Sequence, residues 1–106
     1  MAIQISSELL DGCVLGLLME NDYYGYALTQ KVQASISVSE STMYPVLRRL
    51  KKNQLLTTYD EPYQGRNRRY YQITAEGKRQ YRVIQNEWRD FKMGVDQMLG
   101  DDSGHE

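Results

Sequence analysis

The side chains best placed for chemistry in this chain are its cations, which are concentrated in its middle. Residues 31–82 carry eleven Lys or Arg against four Asp or Glu, a net charge of +7, whereas residues 1–30 and 83–106 each carry −4. The overall charge of −1 therefore hides a basic middle between two acidic ends. Such asymmetry indicates a local site for a polyanion, although a charge run on its own is usually only a solvated face.

One segment of this basic region separates an apolar side from a polar side at helical spacing. Its apolar positions, which predict a core-facing side, are Met43, Val46, Leu47 and Leu50. Its polar side consists of Ser41, Tyr44, Pro45, Arg48 and Lys52. Short polar and aromatic groups reach base edges in a major groove while Arg and Lys approach phosphates, so this pattern is typical of a helix that reads DNA. The alternative is an amphipathic surface helix with ordinary charges.

A second group of cations lies in a predicted β-hairpin. Two β-prone runs, Leu55 to Tyr59 and Arg69 to Ile73, flank residues 60–67, a connection longer than a tight two-residue turn. Gly65 and Asn67 tolerate the backbone angles of a projecting tip, and the cations beside them are Arg66, Arg68 and Arg69. A basic tip that follows a basic helix is typical of a winged helix-turn-helix. A sheet that only closes the core would explain the tyrosines, with Tyr71 packed inward, but not three clustered arginines.

Catalytic and metal-binding sites lack their usual residues in this sequence. The chain has one cysteine, Cys13, and one histidine, His105. Zinc sites, Cys/His pairs and Ser/His/Asp triads therefore cannot be assembled, and we predict no enzyme, no metal site and no cofactor. No apolar run reaches about 18 residues and the N-terminus lacks the order of a secretion signal, so we expect no membrane contact and a cytoplasmic location.

The elements that must position the cations follow from hydrophobic periodicity and capping. Helices are predicted at residues 6–19 after Ser6 or Ser7 as N-cap, at Tyr24 to Ala34, at Glu40 to Asn53 after Ser39, and at Ala75 to Leu99 after Thr74. Pro45 fits the third helix if its regular part begins nearer Thr42, because the first turn of a helix tolerates proline.

The last helix carries apolar residues at alternating spacings of three and four, the a/d pattern of a helix that packs lengthwise against another. This seam consists of Tyr81, Ile84, Trp88, Phe91, Val95 and Met98, and the first helix adds Leu9, Val14 and Leu17. We expect both surfaces to pack against a second copy. A two-fold dimer would present two recognition helices to a palindromic operator, about 34–36 Å apart. The alternative is that the seam folds back onto its own domain.

These elements predict a mainly α fold with a small β-hairpin, arranged as a winged helix-turn-helix followed by a long C-terminal helix. A chain of 106 residues is near the size of one domain, so a single core is expected. We assign residues 1–74 to a winged-helix DNA-binding domain, residues 75–99 to a dimerisation helix and residues 100–106 to a flexible acidic tail.

Three segments of the chain form a more specific pattern: YGYAL at 24–28, STMYPVLRRL at 41–50 and GRNRRYYQITAEG at 65–77. The combination of T-x-Y-P-x-L-x-R-L with R-R-Y-Y-x-x-T-x-x-G resembles the PadR family of bacterial transcriptional regulators, from about Leu9 to Leu99. The resemblance implies a cytoplasmic homodimer with an N-terminal winged helix, usually a repressor, of the subgroup with a single C-terminal helix. Asn53 and Gln54 depart from the pattern, since relatives often carry an acidic residue and a glycine there.

With the matched motifs included, the predicted DNA contacts are Ser41, Thr42, Tyr44, Pro45, Arg48, Arg49, Lys52, Arg66, Arg68 and Arg69. The resemblance also implies a response to small aromatic or lipophilic effectors. Trp88, the only tryptophan, lies mid-seam and would stack on a flat ligand between the two copies, beside Leu10, Cys13, Phe91 and Lys92. The alternative is that Trp88 is interface core.

The predicted function is therefore that of a sequence-specific, ligand-responsive repressor that binds double-stranded DNA as a homodimer. The alternative is a winged-helix module for protein–protein assembly, in which the basic face meets an acidic partner instead of DNA.

Overall fold

The computed structural model describes residues 3–100, which form four helices and a three-stranded antiparallel sheet. The elements in chain order are α1 (Ser7–Glu20), β1 (Tyr23–Tyr24), α2 (Gly25–Gln33), α3 (Glu40–Lys52), β2 (Leu56–Tyr63), β3 (Arg66–Ile73) and α4 (Ala75–Leu99). The strand order is β1-β3-β2. The predicted fold class, mainly helical with a winged helix and a long last helix, is confirmed. The predicted acidic tail lies outside the described residues beyond position 100.

Hydroxyl side chains cap three of the helices, as the sequence predicts. Ser6 accepts a hydrogen bond from the backbone N–H of Leu9 at 3.1 Å, and Ser39 accepts one from Thr42 at 3.2 Å. Because this cap starts α3 at Glu40, Pro45 lies in the second turn, and the expectation that the regular helix begins near Thr42 was wrong. Pro45 has no N–H to donate to the carbonyl of Ser41, and Ser41 is exposed, so that carbonyl is not forced to stay unpaired in the core.

The β-hairpin is longer and its turn tighter than predicted. Strands β2 and β3 pair from Leu56↔Ile73 to Tyr63↔Arg66, which leaves only Gln64 and Gly65 in the turn. Both turn residues have positive φ, +51° and +78°, as a two-residue hairpin turn requires. The expected long connection was wrong because Pro62 sits on β2, an edge strand, where a missing N–H does not interrupt the ladder.

A single apolar core joins α1, α2, α3 and β2. Its buried members are Leu10, Val14, Leu15, Leu18, Leu28, Val32, Met43, Val46, Leu47, Leu50 and Leu56. All four apolar positions predicted for the third helix are among them, and Tyr71 packs against this core from β3. The predicted inward side of α3 is therefore confirmed, and its opposite side is left for solvent or a partner.

The first half of α4 packs against α1 of the same chain. Gly12 and Gly16 of α1 face Ile84 and Tyr81, so the absence of side chains lets the two helices approach closely. Ile84 is buried and Tyr81 packs against the core, which means that the start of the predicted dimer seam folds back onto its own domain. The heptad spacing did not reveal this, because a partner helix in the same chain satisfies the same pattern.

Two residues of α1 that were assigned to surfaces between copies are in the protomer's own core. Val14 is fully buried, so its assignment to the dimer interface is corrected. Leu10 is buried in the same core and leaves no surface for a ligand between two copies to contact. Leu9 and Leu17 are half-buried, which leaves part of the α1 stripe accessible.

The glycine of the T-x-x-G motif allows α4 to begin directly beside β2. Thr74 accepts a hydrogen bond from the Gly77 N–H at 3.0 Å and donates one to the carbonyl of Gln54 at 2.7 Å. A Cβ on Gly77 would overlap the backbone carbonyl of Leu55. Gln54 itself has a φ of +62°, the left-handed conformation that the glycine of relatives would adopt without strain.

We expect Gly77→Ala to destabilise the protein by about 3 kcal/mol, because the overlapping atom is backbone and cannot rotate away. Thermal unfolding followed by circular dichroism should show a Tm lower by roughly 10 °C or more. Gly94→Ala is the matched control, since that position in α4 faces open space and gains helix propensity, about 0.5–1 kcal/mol. Equal Tm values for the two variants would contradict the close packing at Gly77.

Candidate DNA-binding surface

The outer side of α3 carries the predicted reading residues in an exposed stripe. Tyr44 is 61% exposed. Its exposed neighbours on the stripe are Ser41, Pro45, Arg48 and Lys52, and Thr42 is exposed beside the stripe. Neither Arg48 nor Lys52 has an ion-pair partner within residues 3–100. The structure thus brings hydroxyls, one aromatic ring and exposed cations onto one side of a helix whose other side is anchored in the core.

A cluster of hydroxyl groups lies at the N-terminal end of the stripe. The Oγ of Ser39 lies 2.9 Å from the Oγ of Ser41 and 3.0 Å from the Oγ1 of Thr42. Hydroxyls both donate and accept hydrogen bonds, so they match either base edges or phosphate oxygens. The cations lie toward the other end of the helix, which gives the stripe a polar end and a basic end.

Arg49 differs from the other cations of α3, because its side chain turns back toward α1. It forms an ion pair with Asp11, whose side chain is largely buried. Burial raises the pKa of Asp11, and the Arg49 guanidinium opposes that shift. A DNA contact by Arg49 stays a prediction, and the N–H groups that do not face Asp11 would have to make it. Charge patterning did not reveal the pair, since its members are far apart in sequence.

The three arginines of the wing, the β2–β3 hairpin, have different surroundings. Arg66 is exposed beside the turn. Arg69 faces Asp60 across the strands, with its Nε 3.6 Å from a carboxylate oxygen, and both side chains are at least half exposed. Arg68 is half-buried between the rings of Tyr24 and Tyr63, 4.0 Å and 3.5 Å from their centroids. Of these three arginines, only Arg66 presents a guanidinium without a ring or carboxylate partner among the described residues.

An aromatic row crosses the outer face of the sheet. The ring of Tyr70 in β3 lies 5.9 Å from Tyr24 in β1 and 5.5 Å from Tyr59 in β2. The Tyr59 hydroxyl donates a hydrogen bond to Asp22 at 2.6 Å, which raises the pKa of Tyr59 to about 12. The sequence does not reveal this row because β1 has only two residues, too few for an alternating pattern to show.

The second half of α4 exposes the rest of the apolar seam. The exposed fractions of Trp88, Phe91 and Met98 are 41%, 66% and 81%. Val95 is half-buried, and Lys92 is paired with Asp96 at 3.1 Å. This uncovered stripe differs from the first half of the seam, which already packs against α1.

Two grooves flank Trp88 between α1 and α4. One, of about 460 Å³, is lined by Ser6, Glu8, Leu9, Ile84, Glu87, Trp88, Asp90 and Phe91. The other, of about 450 Å³, includes Cys13, Gly12 and Tyr81 along its walls. The carboxylates make the edge of the first groove acidic, and the charge of Glu8 raises the pKa of Glu87. Of the predicted ligand neighbours, Cys13, Trp88 and Phe91 line these grooves, whereas Leu10 and Lys92 do not.

Comparison with known proteins places this fold in a family. Residues 14–83 match the model of the transcriptional regulator PadR-like family. The chain belongs to the PadR-like family. A protein of Lysinibacillus sphaericus is 34% identical over 92 residues, which cover 82% of this chain and 84% of the relative.

Solved structures agree with this membership. The crystal structure of smu.1704 from Streptococcus mutans UA159 is similar with a TM-score of 0.85 and 34% identity, over 93% of each chain. A PadR family transcription regulator from Clostridium difficile R20291 is similar with a TM-score of 0.78 and 32% identity, over 86% of this chain and 98% of the other. This PadR-like protein is therefore a DNA-binding transcriptional regulator and not an enzyme. Within residues 3–100, none of the helices is long and apolar enough to cross a membrane.

Proposed function

We propose that this PadR-like protein represses transcription by binding a palindromic operator as a homodimer, with α3 in the major groove. The observation that carries the proposal is the exposed stripe of α3, where Tyr44 and the cations Arg48 and Lys52 project from a helix fixed in the core. The aromatic and hydroxyl groups would read bases and the cations would approach phosphates. In this proposal residues 1–74 bind DNA and residues 75–99 hold the two copies together.

The uncovered half of the α4 seam supports the homodimer. Trp88, Phe91 and Met98 form an exposed apolar stripe along one side of a helix, a feature that marks interaction surfaces. The same stripe on a second copy would cover it in an isologous two-fold contact, together with the accessible part of α1. Two recognition helices would then address adjacent half-sites, about 34–36 Å apart.

We expect Arg66→Ala to weaken binding to all DNA sequences alike, because Arg66 is the exposed wing cation that can approach a phosphate. The slope of log K against log salt should fall by roughly 1 for each phosphate that the variant no longer neutralises. Fluorescence anisotropy with a random-sequence duplex over a salt series measures this slope. Arg79→Ala removes the same charge from α4, where Arg79 pairs with Glu76, and should leave the slope unchanged.

If the Arg66→Ala variant keeps the wild-type slope of log K against log salt, the wing does not contact DNA phosphates through Arg66. A wild-type protein that binds random duplex DNA with no salt dependence would contradict the DNA-binding face altogether, and would favour a basic surface that meets an acidic protein.

We propose further that the grooves beside Trp88 bind a small planar lipophilic compound, and that a cationic one binds best. Trp88 and Phe91, with ring centroids 6.3 Å apart, offer aromatic faces. The carboxylates of Glu8, Glu87 and Asp90 line the same groove and would attract a positive charge. Such a ligand would release DNA only if it favours a dimer with a different spacing of the recognition helices, because equal affinity for both states shifts nothing.

We expect Trp88→Ala to weaken the binding of a planar cationic dye about tenfold, because the variant lacks an aromatic stacking surface. Isothermal titration calorimetry measures this directly, without relying on Trp88 fluorescence. Met98→Ala is the control, since Met98 belongs to the same exposed stripe but lines neither groove. Equal dye affinity in wild type and Trp88→Ala would show that Trp88 serves packing alone.

A further inference from the structure

We propose that Tyr24 and Tyr63 clamp Arg68 and thereby fix the direction of the wing tip. In this role Arg68 is a positioning residue of the wing and not one of its phosphate contacts. The inference rests on the proposed contact between the wing and DNA, and it assigns to the two tyrosines a part in DNA binding that requires no contact with DNA.

The wing tip needs such a device because β1 supports only the base of the hairpin. Strand β1 pairs with β3 at two positions, Tyr23↔Tyr71 and Tyr24↔Tyr70. Beyond them, residues 66–69 of β3 pair with β2 alone. A two-stranded ribbon on its own is marginally stable in water and twists strongly, so contacts with other elements help to fix the direction of its end.

The alternation of side chains along β3 brings Arg68 to the face where it can be held. Tyr71 packs toward the core, so Tyr70 and Arg68 lie on the outer face. Tyr24 is the cross-strand partner of Tyr70, and Tyr63 is the partner of Arg66. Both tyrosines are therefore diagonal neighbours of Arg68, one from each side, within reach of a long side chain.

The guanidinium of Arg68 joins the end of β1 to the tip of β2. It lies 4.0 Å from the ring centroid of Tyr24 and 3.5 Å from that of Tyr63. Both distances are well within the range of a cation–π contact, about 6 Å, and a planar guanidinium stacks on aromatic faces. The clamp thus consists of one cation on β3 between two rings. The rings belong to β1 and β2, which are not neighbours in the sheet.

The inner end of the clamp is anchored in the body of the protein. Tyr24 immediately precedes α2 as its N-cap residue. Its ring also lies against Tyr70, which stacks on Tyr59 with an interplanar angle of 10°. Tyr59 is hydrogen-bonded to Asp22 in the turn before β1. These contacts form a continuous outer layer from that turn to the wing tip. Within it, Arg68 connects Tyr24 to Tyr63 at the tip.

The different surroundings of Arg68 and Arg66 give them different roles in the wing: Arg68 positions the tip, and Arg66 can approach a phosphate. Two rings cover the faces of the Arg68 guanidinium, whereas Arg66, two residues nearer the turn, is exposed and free of such contacts among the described residues. A wing held in its bound direction loses less conformational freedom when it meets DNA, which strengthens binding without adding a contact.

The test compares Tyr63→Leu with Tyr63→Phe, because phenylalanine keeps the ring and leucine removes it. Tyr63 is 45% exposed, so neither change should move the Tm appreciably. The heteronuclear NOE of the Gly65 amide reports tip mobility, and anisotropy with a random-sequence duplex reports affinity. We expect Tyr63→Leu to lower the NOE and to weaken binding about 3- to 10-fold, while Tyr63→Phe matches wild type.

A double variant tests whether Tyr63 acts through Arg68. Once Arg68→Ala has removed the cation, adding Tyr63→Leu should cause no further loss of affinity or of NOE. Additive losses, or a Gly65 NOE that Tyr63→Leu leaves at the wild-type value, would overturn the clamp. If Arg66→Ala leaves DNA binding unchanged while the NOE still falls in Tyr63→Leu, the clamp stands and the wing's contact with DNA fails.

Discussion

Replacing Phe91 with Asp is expected to convert the protein from a dimer to a monomer and to weaken operator binding by about 10²- to 10⁴-fold. Phe91 is 66% exposed in the protomer, so the substitution leaves the fold of a single chain intact. In the proposed dimer the new carboxylate would be buried without a partner, at a cost of several kcal/mol. The loss of affinity follows because two half-sites would no longer be bound by one linked pair of recognition helices.

Sedimentation velocity measures the oligomeric state, and circular dichroism checks that the fold is kept. Met93→Asp is the matched control, because Met93 is also exposed on α4 but faces away from the stripe. It should remain dimeric and bind DNA as wild type does. A Phe91→Asp variant that stays dimeric would show that the exposed half of α4 is not the contact between copies.

Replacing Tyr44 with Ala is expected to weaken operator binding by about 1–3 kcal/mol, roughly 5- to 150-fold, with little change in stability. Tyr44 is 61% exposed on the stripe of α3, so its removal leaves no cavity in the core. Binding to random-sequence duplex should be nearly unchanged, because phosphate contacts supply non-specific affinity.

Competition of labelled operator with random duplex measures both affinities for the same variant. Arg48→Ala provides the contrast, since removal of an exposed cation should weaken both and lower the salt slope. A Tyr44→Ala variant that binds operator as tightly as wild type would show that α3 does not read the bases.

Much of the fold follows from local patterns that can be recognised in the sequence. The caps Ser6, Ser39 and Thr74 and the two-sided pattern of α3 depend on residues within a few positions of one another, so periodicity and capping predict them. The stripe of α3 was predicted for the same reason, because its exposed side is the complement of a buried one.

Features that depend on distant partners were not predicted. Strand β1 exists only because β3 lies beside it, and two residues carry no recognisable pattern. Only the first half of the α4 seam packs within the chain, because Gly12 and Gly16 let α1 approach α4 closely there.

The charges of the candidate site also depend on distant partners that the sequence does not show. Arg49, Arg68 and Arg69 look alike as a basic pattern, yet one pairs with Asp11, one lies between two rings and one faces Asp60. Charge counting gives the sign of a surface, but which cation is free depends on tertiary neighbours that sequence spacing does not reveal.

Selection of bound fragments from a random duplex library with the intact protein would examine base reading by α3 and the symmetry of the dimer in one experiment. At physiological salt, where non-specific binding is weak, we expect an enriched inverted repeat whose half-site centres are about 10–10.5 base pairs apart. That result would show specific reading and two-fold symmetry together. Enrichment of a single unsymmetrical site would contradict the dimer, and the absence of any enriched sequence would contradict sequence-specific binding by α3.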